Sequence, residues 1–421
     1  MESERVTDSA TELGTPGEAL SRGVETALVG AIFAVVAWML LSSLPGPHDA
    51  ASDDGYYVRF MTTVSQRGLG ALPGLFERWN ATREDWIFPP PSRVGFVVVS
   101  ALWAKVFGAS LDSLSKMSAV SHLVLVLVTW RFARRHFGAL RAVAAVALVA
   151  FSPLLLGLAR LALADSLTVL FASLAIWTYV DFVFAPRNVR RWIAFTVAFA
   201  AAMLVKELVV MLTLPFAAFA ALEAIRRRAP RDLVPVAAAL AVAGLFTVSL
   251  LVLAAGGVAP LAETVRITLE SPKTNAYALR YGSGPWFRYV LDFLLLSPGP
   301  TLLAIGAIGL VLLRPAATER DRKELFLALV CIGLIAGLSF GTKNVRYAAM
   351  LEVAIRLLGA SLLAVWIRPR TTRAATAVYA CAILILCGVD WWTFRTIWVE
   401  RGLYDPVTAA LLAARALVPM K

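Results

Sequence analysis

Charge is what this 421-residue chain has least of. Only 16% of its residues are charged while 59% are hydrophobic, and the mean hydropathy is +0.74. Soluble domains carry about a quarter charged residues, so a water-soluble globular protein is excluded. Cysteine and histidine are scarce as well. Cys331, Cys381 and Cys387 all lie inside apolar runs, and His48, His122 and His136 are scattered. Neither a disulfide framework nor a metal-ligand spacing is present. No glycine-rich phosphate-cradling loop stands out.

What the chain does have is long uncharged runs. They lie near 24–44, 94–107, 117–133, 140–158, 166–185, 192–205, 208–225, 232–255, 288–313, 325–341, 345–367 and 374–394. Most approach the roughly 20 residues a helix needs to cross hydrocarbon. Only helices or closed barrels satisfy their backbone there, and continuous rather than alternating apolarity selects helices. The fold class is therefore an all-α polytopic membrane protein.

The net charge of +12 suggests nucleic acid until its distribution is examined. Five compact connectors hold eighteen of the forty Lys and Arg in 39 residues: Arg131 to Arg141, Pro186 to Arg191, Arg226 to Arg231, Arg314 to Lys323 and Arg368 to Arg373. The positive-inside rule places these in the cytoplasm, and no nucleic-acid partner is expected. The leader 1–23 is mostly acidic, with Glu2, Glu4, Asp8, Glu12 and Glu18. It reads as a disordered segment before a retained first span rather than as a signal peptide. Residues 24–394 form the membrane domain, and 395–421 an amphipathic tail.

Runs 94–107 and 117–133 both precede the first basic connector. If both cross, the N-terminus is outside. If one crosses, the N-terminus is cytoplasmic and the connector 45–116 is external. Fourteen residues rise only about 21 Å, which suits an interfacial helix at 94–107.

A few polar residues interrupt this apolar background. Asp53 and Asp54 begin Asp-Asp-Gly-Tyr-Tyr57 soon after the first span. Adjacent carboxylates push one pKa upward and can act as a base or hold a divalent cation such as Mg or Mn; an ordinary acidic turn is the alternative. Arg160 and Asp165 lie between two apolar runs, either as functional charges or as a local pair closing a turn. Lys206 and Glu207 interrupt the stretch Trp192 to Leu222, where a lysine suits a phosphate and a self-neutralising pair is the alternative. Lys343, Arg346 and Tyr347 mark another short turn. The connector 256–287 carries Arg266, Glu270, Lys273, Tyr277, Arg280 and Tyr281, which read as an interfacial belt, with a cover over a lipid-linked anion as the alternative.

Taken in order, these residues resemble the GT-C superfamily of membrane glycosyltransferases that use polyprenyl-phosphate sugars, above all the protein O-mannosyltransferase and aminoarabinose-transferase group. The series runs over roughly 24–350: Asp53-Asp54-Gly-Tyr-Tyr57, Pro90-Pro91 leading to Phe107-Gly108, Arg134-Arg135-His-Phe137-Gly138, Ser152-Pro153 with Arg160 and Asp165, Leu204-Val-Lys206, and Arg346-Tyr347. The chain departs from the family in having Asp54 where a glutamate is usual. It also lacks the histidine before and the tyrosine after the proline pair, reading Phe88-Pro-Pro-Pro-Ser92.

The resemblance implies about eleven transmembrane helices, a cytoplasmic N-terminus, and external loops 45–116 and 256–287, with 94–107 juxtamembrane. It implies an enzyme of the cytoplasmic (inner) membrane working on the periplasmic face. The donor would be a polyprenyl-phosphate-linked sugar, and the acceptor a lipid, glycan or protein. Asp53, Asp54 and Asp165 would be catalytic, with Asp53 as the base. Lys206, Arg160 and Arg346 would bind the donor phosphate, and Tyr57, Glu207 and Tyr347 would contact substrate. A transporter or carrier flippase, or a non-catalytic relative, are the rival classes, since intramembrane charges serve transport as well.

Overall fold

A computed structural model of the chain describes residues 21–43, 52–275, 278–279, 282–367 and 373–402. The leader up to residue 20, the tail from 403, the basic connector residues 368–372, and Tyr277, Arg280 and Tyr281 lie outside the described residues.

The described chain is helical. In order, its α-helices are α1 (Arg22–Trp38), α2 (Asp53–Arg67), α3 (Leu72–Ala81), α4 (Val94–Phe107), α5 (Leu111–Phe137), α6 (Ala139–Ala150), α7 (Pro153–Ala159), α8 (Asp165–Val183) and α9 (Val189–Val205). They continue with α10 (Thr213–Arg226), α11 (Leu233–Ala255), α12 (Val258–Thr274), α13 (Arg288–Leu296), α14 (Pro298–Leu313), α15 (Glu319–Leu338), α16 (Glu352–Ile367) and α17 (Arg373–Phe394). The sequence punctuates them where its chemistry demands. Ser152 caps α7 and Pro153 opens it, so the expected run 140–158 bends by 55° between α6 and α7. A proline has no N–H to offer the preceding turn. A second proline, Pro298, divides the expected span 288–313 into α13 and α14, here without a side-chain cap.

Among the described residues, seven helices are long and apolar enough to cross a membrane, or eight if the bent α6–α7 pair is one span. Three expected spans fall short for separate reasons. Helix α9 has 17 residues, α14 has 16 after its break, and α15 opens with the all-charged Glu319–Glu324.

The ends of the bundle are chemically distinct. At one end, Arg135 and His136 from α5 meet Asp181 of α8, and Arg322 of α15 and Arg227 both meet Glu223 of α10. Glu25 near the start of α1 joins this end, bonded to Trp130 and to Arg134 at 2.8 Å each. Four of the five basic connectors thus converge at the end where α1 starts. Above them a buried aromatic cluster of Tyr179, Phe195, Phe199, Phe216 and Phe326 locks α8, α9, α10 and α15 together.

The opposite end holds the irregular backbone. Helix α4 begins there and stays there. The Trp103 indole donates to the Ser113 carbonyl at 2.9 Å, and Ser115 in the first turn of α5 donates to the Arg160 carbonyl at the same end. Helix α4 at 94–107 thus does not traverse the bundle, whereas 117–133 belongs to a 27-residue helix that does. The connector 256–287 contains the 17-residue α12. Asn80 and Trp86, in the connector after α2, tie to it through the Pro260 carbonyl, Thr264 and Ser271.

Candidate functional site

Five segments meet at the irregular end. The first is the start of α2, where the Ser52 hydroxyl accepts from the Asp54 amide. A helix N-terminus favours carboxylates, and this one carries two. Their side chains point about 100° apart, which gives them different environments. Asp53 is partly exposed, at 26% of its side chain. Asp54 is fully buried, and neither of its carboxylate oxygens has a hydrogen-bond partner. Burial first, and then the neighbouring Asp53 charge, push the Asp54 pKa up to about 7, against the pull of Arg346 and the Ala162 amide.

The second segment is the turn 160–164. It makes no continuous helix, so its carbonyls need other donors. Ser115 and Ser118 on α5 supply them, to Arg160 at 2.9 Å and Leu163 at 3.2 Å. That fixes Asp165, the first residue of α8, in the interior.

The third and fourth segments share a design. Lys206 ends α9 in an extended conformation before the 3-10 turn Glu207–Leu212, and Asn344 is extended before the 3-10 turn Val345–Leu351 that carries Arg346. Each break places a cation toward the acids. The Lys206 ammonium lies 2.6 Å from Asp165 Oδ1 and 5.0 Å from the Tyr347 ring centroid. Arg346 lies 3.2 Å from Asp53 Oδ2 and 4.0 Å from Asp165 Oδ2.

The fifth segment is the residue before α4. Arg93 grips Glu207 with two parallel bonds, at 2.6 and 3.0 Å, and also donates to the Tyr57 hydroxyl. Bidentate Arg–carboxylate pairing is strong and directional. Tyr57 is one turn after Asp53 on α2, so the chain of contacts closes on itself. It runs Asp53, Arg346, Asp165 and Lys206, then Glu207, Arg93 and Tyr57, and back to α2.

Eight of the nine residues singled out in the sequence therefore converge: Asp53, Asp54, Tyr57, Asp165, Lys206, Glu207, Arg346 and Tyr347. Arg160 is turned elsewhere. Its guanidinium donates to the Trp398 carbonyl at 3.1 Å and lies 5.8 Å from the Phe394 ring. Sequence reasoning missed Arg93. Its signal was a lone arginine between the proline run and an apolar helix, which reads equally as an interfacial anchor. Also missed was a fully buried polar chain behind Arg346. Glu352 and Asp390 both bind Arg356, and Ser297 donates to Asp390 at 2.7 Å.

The site contains an accessible carboxylate beside a buried one, set among three cations in a ring that largely excludes water. Such groups can accept a proton and stabilise charge developing on a bound anion. Among the described residues no three His, Cys, Asp or Glu side chains converge as metal ligands. Asp53 and Asp165 are held by Arg346 and Lys206, whereas both carboxylate oxygens of Asp54 are without a hydrogen-bond partner.

A family model described as dolichyl-phosphate-mannose-protein mannosyltransferase matches residues 94–253, which is under half of the chain. No curated protein matches in sequence. Solved structures do. ArnT from Cupriavidus metallidurans bound to undecaprenyl phosphate is similar at TM-score 0.56 and 16% identity, over 90% of this chain and 66% of that one. The Archaeoglobus fulgidus oligosaccharyltransferase in its apo form is similar at TM-score 0.60 and 12% identity, over 89% and 56%. The arabinosyltransferase EmbB from Mycobacterium smegmatis is similar at TM-score 0.52 and 15% identity, over 95% and 42%. This chain thus spans about two thirds of the ArnT chain and less of the others. At these identities the likeness establishes the fold alone, a helical membrane fold shared with these three proteins.

Proposed function

We propose that the protein is a glycosyltransferase that moves a sugar from a polyprenyl-phosphate carrier to an acceptor hydroxyl at the external face of the cytoplasmic membrane. The observation that carries this reading is the ring itself. Asp53 is the partly exposed acid, held by Arg346 3.2 Å away, at the end of the bundle opposite the basic connectors. Those connectors mark the cytoplasmic end by the positive-inside rule. The carrier chemistry draws support from the GT-C fold and from the undecaprenyl phosphate bound to ArnT.

The reaction follows from the groups present. The acceptor oxygen attacks the anomeric carbon while its proton passes to Asp53. The bond from that carbon to the phosphate oxygen breaks, and its electron pair stays on the phosphate. The donor diester carries one negative charge, and the departing monoester gains a second. Once protonated, Asp53 releases its hold on Arg346, which turns to the new negative charge. Asp165 and Lys206 hold Arg346 and Tyr347 in register, and the Arg93–Glu207 grip fixes the 206–207 break. No step is routed through a metal ion.

Transfer of radiolabelled sugar from a polyprenyl-phosphate donor in membranes tests the proposal. Label appearing in an acceptor, and lost with Asp53→Asn, is the expected result. Solute movement without covalent transfer would replace this reading with a transporter.

A further inference from the structure

Asp53 stands at a boundary on α2. With roughly 100° of rotation per residue, Tyr57 lies about 40° to one side of it around the helix and Tyr56 about 60° to the other. The Tyr57 flank belongs to the ionic ring, where the buried tyrosine accepts from Arg93. The Tyr56 flank is aromatic and partly accessible, and the transfer chemistry above makes no use of it.

Tyr56 is clamped. Its hydroxyl donates to Asp85 Oδ1 at 2.5 Å, and Arg59 reaches Asp85 Oδ2 at 3.2 Å. The Arg59 guanidinium lies 4.2 Å from the Tyr56 ring centroid, and the Phe88 ring stacks on Tyr56 at 4.0 Å with 17° between the planes. Two groups so close to one centroid cannot share a face, so Tyr56 is sandwiched between them. Arg59 is one turn further along α2 and takes the face toward the C-terminal end of the helix. Phe88 takes the other face, toward the start of the helix, where Asp53 lies one turn before Tyr56. The sandwich thus sets Phe88 beside Asp53.

Phe88 is held there. Its amide donates to the Asp85 carbonyl at 3.0 Å, the Trp86 indole to the Trp79 carbonyl at 3.1 Å, and the Ser271 hydroxyl to the Trp86 carbonyl at 2.9 Å. Three buried prolines follow, Pro89 to Pro91. Among the described residues no second ring or cation stacks on Phe88, and the side chain stays partly accessible. A ring fixed in this way loses little further freedom when a ligand stacks on it.

An aromatic face beside a carboxylate fits the chemistry of a sugar. One face of a sugar ring is lined by C–H bonds, whose hydrogens meet the negative face of an aromatic quadrupole. Its rim carries hydroxyls, which Asp53 and the one-third-exposed Arg59 can bond. A serine or threonine of a peptide brings the hydroxyl without the C–H face.

We infer that Phe88 is the platform on which a sugar of the acceptor stacks with its hydroxyl toward Asp53, so that the acceptor is a glycan. The inference rests on the glycosyltransferase reading. The bond formed is then glycosidic, between the donor's anomeric carbon and an oxygen of the acceptor sugar. The acceptor's proton goes to Asp53, and the carrier phosphate leaves with the electron pair.

Two measurements test this. The first is saturation-transfer NMR on the purified full-length protein, in a detergent without a sugar headgroup. The probes are methyl glucoside, methyl galactoside, methyl mannoside and N-acetylserinamide. At least one glycoside should bind, with saturation strongest on the C–H protons of one ring face, and N-acetylserinamide should not. Phe88→Leu keeps apolar bulk against Tyr56 but removes the aromatic face, and should weaken that binding about twofold to tenfold, the value of one stacking contact. Phe88→Trp should bind as the parent does. Binding of no glycoside by the parent, equal binding by Phe88→Leu, or equal loss in Phe88→Leu and Phe88→Trp overturns the platform. The second measurement follows radiolabelled sugar from a polyprenyl-phosphate donor in membranes. Label should appear in a protease-resistant glycan. Label on protein, or directly on a lipid, overturns the glycan acceptor and leaves the glycosyltransferase reading standing. No covalent transfer at all overturns both.

Discussion

Arg346 and Asp53 lie 293 positions apart in the chain and 3.2 Å apart in space. The contact joins the first connector to the turn before α16, and so ties nearly the whole length of the chain to one site. It also orients the Asp53 carboxylate. Asp53→Asn should lower sugar transfer by about 10²- to 10⁴-fold, the usual contribution of a positioned base. A conventional rate assay in membranes, normalised to protein amount, measures this. Full activity in the variant would remove Asp53 from its role.

The Lys206–Asp165 pair is buried on both sides, at 3% and 5% side-chain exposure. Deleting one partner leaves an uncompensated charge and costs about 3–5 kcal/mol. Lys206→Met should therefore lower the unfolding temperature sharply in detergent. The double variant Lys206→Met, Asp165→Leu should recover most of that loss without recovering transfer. A double variant no more stable than the single one would contradict the pairing.

Asp54 sets a pH dependence of stability. Its pKa in the folded protein is about 7, above the ordinary value of 3.8. Below pH 3.8 the acid is protonated whether the chain is folded or not, and it carries no penalty. Between 3.8 and about 7 the folded state binds the extra proton, so stability falls as pH rises, by about 4 kcal/mol over the whole window. Above 7 the effect is constant. Asp54→Asn should flatten this part of the profile, measured as unfolding temperature against pH. An unchanged slope would show that Asp54 is not the titrating group.

Gly95 marks the closest approach of α4 to α9. A Cβ there would meet the Leu204 carbonyl carbon at 2.9 Å and the Val205 nitrogen at 3.0 Å, and these are backbone atoms that do not swing aside. Gly95→Ala should destabilise the protein by about 1–3 kcal/mol. It should also draw Arg93 away from Glu207 and lower transfer, although the substituted residue touches no substrate. Thermal unfolding and the transfer assay together check both effects.

Arg93→Lys tests the geometry of the grip. A lysine keeps the charge but not the planar fork that binds Glu207 twice and reaches Tyr57 as well. Transfer should fall well below the parent level. If lysine serves as well as arginine, the charge alone matters and the two-pronged contact does not.

Much of this was legible before any coordinates. Asp165 and Lys206 stood out because an ionisable group is costly between apolar runs, Asp53 because a second carboxylate adjoins it, and Arg346 because it shares a short turn with another cation. Arg93 did not, because a single arginine flanking an apolar helix is ordinary at a membrane interface. Arg356, Glu352 and Asp390 were hidden for another reason. Glu352 and Arg356 lie four residues apart on α16 and read as a local pair, whereas the addition of Asp390 depends on how α16 and α17 pack. The breaks at Pro153 and Pro298 were signalled by Ser-Pro, yet hydropathy runs straight through both.

By itself the sequence determined that the chain is a helical membrane protein, which end carries the basic connectors, and which few acids and bases demand an explanation. Those properties follow from the local cost of placing charge and unpaired backbone in hydrocarbon. Only the tertiary structure decided which charges meet. It paired Asp53 with Arg346, turned Arg160 toward Trp398 and kept α4 at the site end. Helix packing sets those relationships, and contacts between residues hundreds of positions apart leave no trace in local hydropathy.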